Sequence, residues 1–258
     1  MNPELSYGEK PASAETAPQS FFSRLIGVYF SPGETFAGMA LAPRALMPII
    51  VFVLFSVISI TAITSRMPMD KINEDRLQQQ IASGRINEEQ AEQQREAMKK
   101  FAPFMKFVLP IGFAIWAVAS VFAFAGLAKL VSMMMGIENK YMPLVSVTTY
   151  TMLAISIVTT AIFALLLFIK PIDEFDWDNP IGSNLAALLI ALGVEGLPKF
   201  VKGLLSFVDV FYIWKVALIA IGGAAVSQKL KTSSAMVYAG LVASVIALIF
   251  ATFGAIFG

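Results

Sequence analysis

Long apolar runs alternate with short polar joints along this chain. Four runs are long enough to cross a bilayer: Ala45–Thr64, Phe107–Leu127, Leu144–Ile169 and Met236–Phe257. A fifth, Val208–Val226, also qualifies but carries Lys215 in its middle. A helix needs roughly 20 mostly apolar residues to cross a hydrocarbon core of about 30 Å. The pattern therefore predicts an all-α, polytopic membrane protein with five transmembrane helices and additional interfacial amphipathic helices.

The joints carry their own signals. Residues 1–20 are polar and lack an apolar centre, which predicts a disordered tail and no cleavable signal peptide. Phe21, Phe22, Leu25, Ile26 and Tyr29 fall on one helical face, so Phe21–Leu41 reads as two short interfacial helices with Arg24 snorkelling toward headgroups. Ser31-Pro32-Gly33-Glu34 predicts a helix start with Ser31 and Glu34 closing a capping box. Residues 66–103 predict an extramembrane helical hairpin: a helix over Met69–Ser83, a stop at Gly84, and a second capping box at Asn87-Glu88-Glu89-Gln90. Seven acids there nearly balance the bases, the mark of a solvated face. Pro110 is expected to kink the second span or to sit in its first turn.

Residues 179–206 form another joint. Asn179-Pro180 predicts a helix through Leu192 that is too short to span, hence interfacial or re-entrant, followed by an amphipathic stretch from Lys199 to Phe207. Asp173, Glu174, Asp176 and Asp178 cluster around Phe175 and Trp177 without the spacing of a calcium loop, so an acidic interfacial turn is the expectation.

Composition narrows the function classes. With 57% hydrophobic and 14% charged residues in 258, the chain has room for one membrane bundle and no separate soluble enzyme domain. A net charge of +1 gives no basic surface for nucleic acid. The chain has no cysteine and no histidine, so thiolate chemistry, disulfides, haem and zinc sites and a Ser-His-Asp triad find no support. No metal site or cofactor is expected, and no enzymatic motif is present.

Candidate working residues are few. Lys215 is an ionisable group inside a span, costing about 2.5–3.5 kcal/mol on insertion scales. It is read either as an anion or headgroup contact in a cavity, or as a lysine snorkelling or bonded to carbonyls. Asp209 lies six residues earlier, beyond helical pairing distance. Trp214 and the hydroxyl-rich third span would border such a cavity. In the last span Ala239, Ala243, Ala247, Ala251 and Ala255 recur every fourth residue and predict close helix packing, with intramolecular packing preferred over a second copy. Gly222-Gly223 reads as a further packing feature, not a phosphate loop.

Four segments together resemble the bacterial branch of the Yip (Ypt-interacting protein) family: Tyr29-Phe30-Ser31-Pro32-Gly33-Glu34-Thr35-Phe36, Thr149-Tyr150-Thr151, Phe207-Val208-Asp209-Val210-Phe211-Tyr212-Ile213-Trp214, and Ala220-Ile221-Gly222-Gly223-Ala224-Ala225. The resemblance covers about residues 20–257, adds Tyr150 to the candidates, and implies a five-helix bundle with a cytoplasmic N-terminus. Eukaryotic members of the family bind prenylated Rab GTPases. The aspartate-leucine-tyrosine-glycine-proline motif those members carry is missing here, so a GTPase partner is not implied.

The expectation is a non-enzymatic inner-membrane protein acting as an organiser or partner-binding scaffold, with the lipid bilayer and a protein partner or second copy as its contacts. The alternative is a small transporter, channel or lipid-moving protein using a cavity near Lys215. Charge counts divide on orientation. Eight basic residues lie between Arg66 and Lys106 and oppose a cytoplasmic N-terminus. The short joints at Lys129–Lys140 and Lys229–Lys231, and the absence of Lys or Arg after Lys231, favour it and an exported C-terminus.

Overall fold

The computed structural model describes residues 19–171, 175, 177, 179–227 and 232–257, without the side chains of 232, 233 and 255–257. Residues 1–18 of the expected 1–20 tail, the acids Asp173, Glu174, Asp176 and Asp178, and Lys229 and Lys231 lie outside the described residues. Among those described there are ten α-helices and no β-strand, and five helices are long and apolar enough to cross a membrane. The protein is all-α and polytopic, as the apolar runs predict.

Two short helices, α1 (Phe21–Phe30) and α2 (Pro32–Leu41), precede the first span. The Ser20 hydroxyl accepts from the Ser23 N–H and caps α1. The capping box expected at α2 does not form: Ser31 makes no side-chain cap, and its carbonyl instead accepts from the Thr35 hydroxyl. Pro32, lacking an N–H to cap, suffices to start the helix. Arg24 does not snorkel. It is 2% exposed and donates from Nη1 to the Ala42 carbonyl at 3.0 Å, at the C-terminal end of α2. A cation there meets the negative end of the helix dipole and a carbonyl without an intrahelical partner, so burial against α2 replaces exposure to headgroups.

The spans are α3 (Leu46–Thr64), α5 (Glu88–Met134), α6 (Tyr141–Ile169), α9 (Val210–Ser227) and α10 (Thr232–Phe257). Helix α4 (Met69–Ala82) ends before Gly84, whose φ of +67° supplies the left-handed turn. The capping box at Asn87 and Gln90 is complete, each side chain accepting from the other residue's N–H. From it α5 runs unbroken for 47 residues. Sequence reading separates a hairpin helix from a span beginning near Phe107. The structure joins them, with Pro103 and Pro110 both inside the helix. Each proline removes one intrahelical hydrogen bond, and the turns on either side stay helical around it. At about 1.5 Å per residue α5 is about 70 Å long, so its polar part up to Lys106 projects about 28 Å from the apolar part.

That arm is closed by Arg95. Its guanidinium donates to both oxygens of Glu74 on α4, at 2.9 and 2.8 Å, and to Glu92 at 2.9 Å. Leu77 and Ala91 bury between the two helices. Beyond α6, α7 (Leu185–Ala191) is shorter than expected, because Asn184, not Asn179, is its N-cap. Helix α8 (Lys199–Ser206) follows, after Gly193 and Gly196 at positive φ.

In the bundle, α6 packs against α3, α5 and α9, while α10 packs against α9, α5 and α8. The first half of α6 is its buried half, continuous from Pro143 to Ile155. A side chain cannot be added where α9 crosses it. A Cβ on Gly222 would collide with Val147 Cγ1 and lie 3.3 Å from Phe36 Cδ2; one on Gly223 would lie 2.7 Å from the Tyr238 ring. The ladder residue Ala251 meets Gly203 of α8 less tightly, a Cβ on Gly203 lying 3.3 Å from it. Ala239 is buried, Ala243 and Ala247 are half-buried, and the side chain of Ala255 is outside the described residues.

Two predictions follow from this packing. Gly222→Ala should destabilise the bundle by about 1–3 kcal/mol through overpacking. Gly240→Ala, whose Cβ meets nothing within 4 Å, should be neutral or stabilising. Unfolding midpoints in detergent would check this, and equal effects of the two changes would sink it. Arg95 holds the Glu74 carboxyl down at about 2 from 4.5, with help from Gln78. Because the folded value is the lower one, the contribution of this pair is complete above about 4.5 and is lost as pH falls toward 2. Arg95→Met should return the Glu74 midpoint toward 4.5 in a carboxyl NMR titration; an unmoved midpoint would show that Arg95 is not the cause.

Candidate functional site

Where the buried half of α6 ends, the bundle is hollow. A cavity of about 420 Å³ lies among α3, α5, α6, α9 and α10. Its volume falls within the range of ligand pockets, about 300–1,000 Å³. Phe52, Phe124, Met152 and Ile155 form its apolar wall, and Ser206, Asp209, Tyr212 and Lys215 gather at the α8–α9 end. Trp116 of α5 and Phe250 of α10 complete the lining while 55% and 47% exposed, so the cavity borders the bundle's outer surface between these two helices. Nearer the other face of the bundle the same two helices are tied together, the buried Tyr238 hydroxyl donating to the Ala128 carbonyl at 2.7 Å.

The polar end is built by the start of α9. Asp209 is its N-cap: Oδ1 accepts from the Phe211 and Tyr212 N–H groups, both at 2.9 Å, and Oδ2 accepts from the Ser183 hydroxyl. The Leu185 N–H donates to the Val208 carbonyl at 2.9 Å, fastening the segment before α7 to the same turn. This carboxylate is thereby occupied in starting the helix and anchoring the joint.

Lys215 stands five residues into α9, about 7.5 Å along its axis. Its Nζ lies 5.5 Å from the Tyr212 ring centre and 5.7 Å from that of Phe124, within cation–π range. Among the described residues no carboxylate or carbonyl bonds to it. Neither sequence reading of a snorkelling or carbonyl-bonded lysine describes its surroundings: aromatic faces flank it, and it lines the cavity.

Tyr212 is held by its hydroxyl, which donates to the Ala243 carbonyl at 2.8 Å, and by Phe207, whose ring lies 5.1 Å away. The small side chain of Ala243 lets the phenol reach a helix carbonyl. Thr159 and Ser120 on the wall donate to their own helices, to Ile155 and Ala117 carbonyls at 3.0 and 2.9 Å. Among the described residues no group of three Asp, Glu, His or Cys side chains converges to hold a metal.

Of the residues singled out from sequence, Asp209 and Lys215 meet at the cavity, while Trp214 and Tyr150 do not. The Trp214 ring lies 5.9 Å from Tyr29, and that of Tyr150 5.7 Å from Phe21. Both belong to the core that seats α1 and α2, with Val28, Phe36, Met39 and Val147. The Tyr29 hydroxyl donates to the Ala154 carbonyl at 2.6 Å in the same region. Gly222 and Gly223 lie at helix crossings, and so does Ala251. Sequence reading missed Tyr212, Trp116, Phe207 and Phe250. Only Tyr212 left a signal, three residues before Lys215 and so on the same helical face. Phe207 comes in from the turn before Asp209, and Trp116 and Phe250 reach the cavity through contacts between distant segments.

The segments Tyr29–Phe36, Thr149–Thr151 and Ala220–Ala225 thus meet in one core, and Phe207–Trp214 links that core to the cavity. No curated protein and no solved structure matches the chain. The family model described as the Yip1 domain matches residues 26–256, from α1 almost to the end of α10. With nearly its whole length inside that match, and with the five membrane-length helices described above, the chain belongs to the Yip1-domain family.

Proposed function

We propose that this Yip1-domain protein is a non-enzymatic membrane organiser that takes a lipid-like amphiphile into its bundle from the side. One observation carries the reading: a cavity of about 420 Å³ with an apolar wall and one ammonium, bordering the lipid-facing surface between Trp116 and Phe250. A bundle acting only through its surfaces would be filled by its own side chains, since interiors pack as densely as organic crystals. Space that borders lipid and is lined by aromatic and aliphatic groups is matched by an acyl chain. The ammonium suits a polar end group.

The bacterial branch, an inner-membrane location and a cytoplasmic N-terminus belong to the same proposal. They draw support from the segments shared with that branch and from the basic joint between Lys129 and Lys140. In this orientation the α4–α5 arm and the α8–α9 end of the cavity lie on the exported side.

Filling the cavity should expel the guest. Ser156→Trp, on the α6 wall, is expected to lower the amount of lipid retained through purification at least several-fold, read by native mass spectrometry, with the bundle still monodisperse. Wild type that retains no lipid, or a folded variant that retains as much, would refute lateral uptake and return the protein to a purely surface-acting scaffold.

A further inference from the structure

We infer that the cavity selects an anionic phosphodiester lipid whose headgroup carries free hydroxyls, a glycerol-type headgroup on a phosphate. The inference rests on the lipid-uptake reading above and adds the chemistry of the guest.

It follows from which hydrogen-bonding capacities the walls have left. The protons of four wall hydroxyls are already committed: Ser120 to Ala117, Thr159 to Ile155, Ser206 to Lys202 and Tyr212 to Ala243. The Ser156 hydroxyl on the same wall has no hydrogen bond among the described residues. Each hydroxyl oxygen keeps lone pairs, so the four committed groups offer acceptors and no donor, and Ser156 alone among the wall hydroxyls offers both. The Asp209 carboxylate receives three donors from Phe211, Tyr212 and Ser183. Lys215 is the opposite case, with three N–H donors and no hydrogen-bond or ion-pair partner among the described residues. A complementary guest therefore presents one strong anionic acceptor to Lys215 and hydroxyl donors to the oxygens of the cavity wall.

Alternatives fit less well. A choline headgroup has no donor and brings a permanent cation toward Lys215. An ethanolamine headgroup has donors but sets an ammonium beside an ammonium. A phosphate monoester meets Lys215 yet leaves the acceptor oxygens unpaired, which in a water-poor site costs more than in water. Depth agrees as well: Lys215 lies about 7.5 Å inside the end of α9, so a headgroup phosphate reaches it from the near interface while its chain extends along Phe124, Met152 and Phe52.

The test uses the full-length protein in nanodiscs of phosphatidylcholine mixed with one minor lipid of identical chains, phosphatidylglycerol, phosphatidic acid or phosphatidylethanolamine. Native mass spectrometry reads the bound species. Phosphatidylglycerol should be enriched roughly tenfold over phosphatidylcholine, the effect of one charge-assisted hydrogen bond, and should exceed the other two. Lys215→Met should abolish the enrichment while total bound lipid persists, and Lys215→Arg should keep it. Should Lys215→Met fail to fold, Ser156→Ala with Thr159→Val supplies the second reading, lowering the preference for phosphatidylglycerol over phosphatidic acid. Soluble glycerophosphoglycerol, the same phosphodiester and hydroxyls without chains, should not displace the lipid, and displacement would overturn a lipid source. Lipid retained without headgroup preference, or phosphatidic acid favoured, would overturn this inference and leave lateral uptake standing. No retained lipid at all would remove both.

Discussion

The fold depends on how closely α9 approaches its neighbours at Gly222 and Gly223. Val147 and Phe36 occupy the space where a Cβ on Gly222 would lie, and the Tyr238 ring occupies that of Gly223. Membrane helices gain little from the hydrophobic effect when they associate, because lipid tails are as apolar as leucine. Close backbone contact and interhelical hydrogen bonds have to supply the cohesion. Here the glycine pair provides the first, and Tyr238 bonded to Ala128 provides the second across the same layer. Helices α1 and α2 complete that layer from outside, through Tyr29 bonded to Ala154 and Phe36 buried at the crossing.

That tight layer has a consequence at the other end of the bundle. Glycines fill the close level of α9, whereas its first two turns present Tyr212, Lys215 and Phe211 to the cavity. Rings and a long cationic side chain cannot interdigitate as small residues do. The small-residue contacts and the cavity thus lie at opposite ends of one gradient in side-chain size along α9. Tyr212 spans the gap only because Ala243 leaves a helix carbonyl bare for it.

How much of this the sequence discloses depends on the range of the interaction. The five spans are legible because twenty apolar residues answer to the bilayer alone. Gly84 and the Asn87 capping box are legible because such signals act within four residues. The unbroken passage of α5 through Pro103 and Pro110 is not, since a proline reads locally as a break and the helix to either side decides otherwise. Nor is the burial of Arg24, whose partner is a carbonyl eighteen residues away on another helix. Lys215 is conspicuous from sequence as a cation in an apolar run, but its environment comes from α3, α5, α6 and α10 and needs the fold. Trp214 and Tyr150, singled out beside it, occupy another face of the structure.

Arg24 and Lys215 show why one cation builds structure and the other is open to chemistry. A guanidinium presents donors in several directions, and Arg24 spends one on the end of α2, where the backbone offers an acceptor and the dipole favours positive charge. Lys215 has no such end within reach. The nearest turn is the start of its own helix, the positive end of the dipole, already capped by Asp209. Helix polarity therefore disfavours the lysine at its position, and the surrounding rings offer only the weaker attraction of their faces. An ammonium kept in that setting has the Asp209 carboxylate in the same cavity but no hydrogen-bond partner among the described residues, and its three N–H groups are what a bound anion would satisfy.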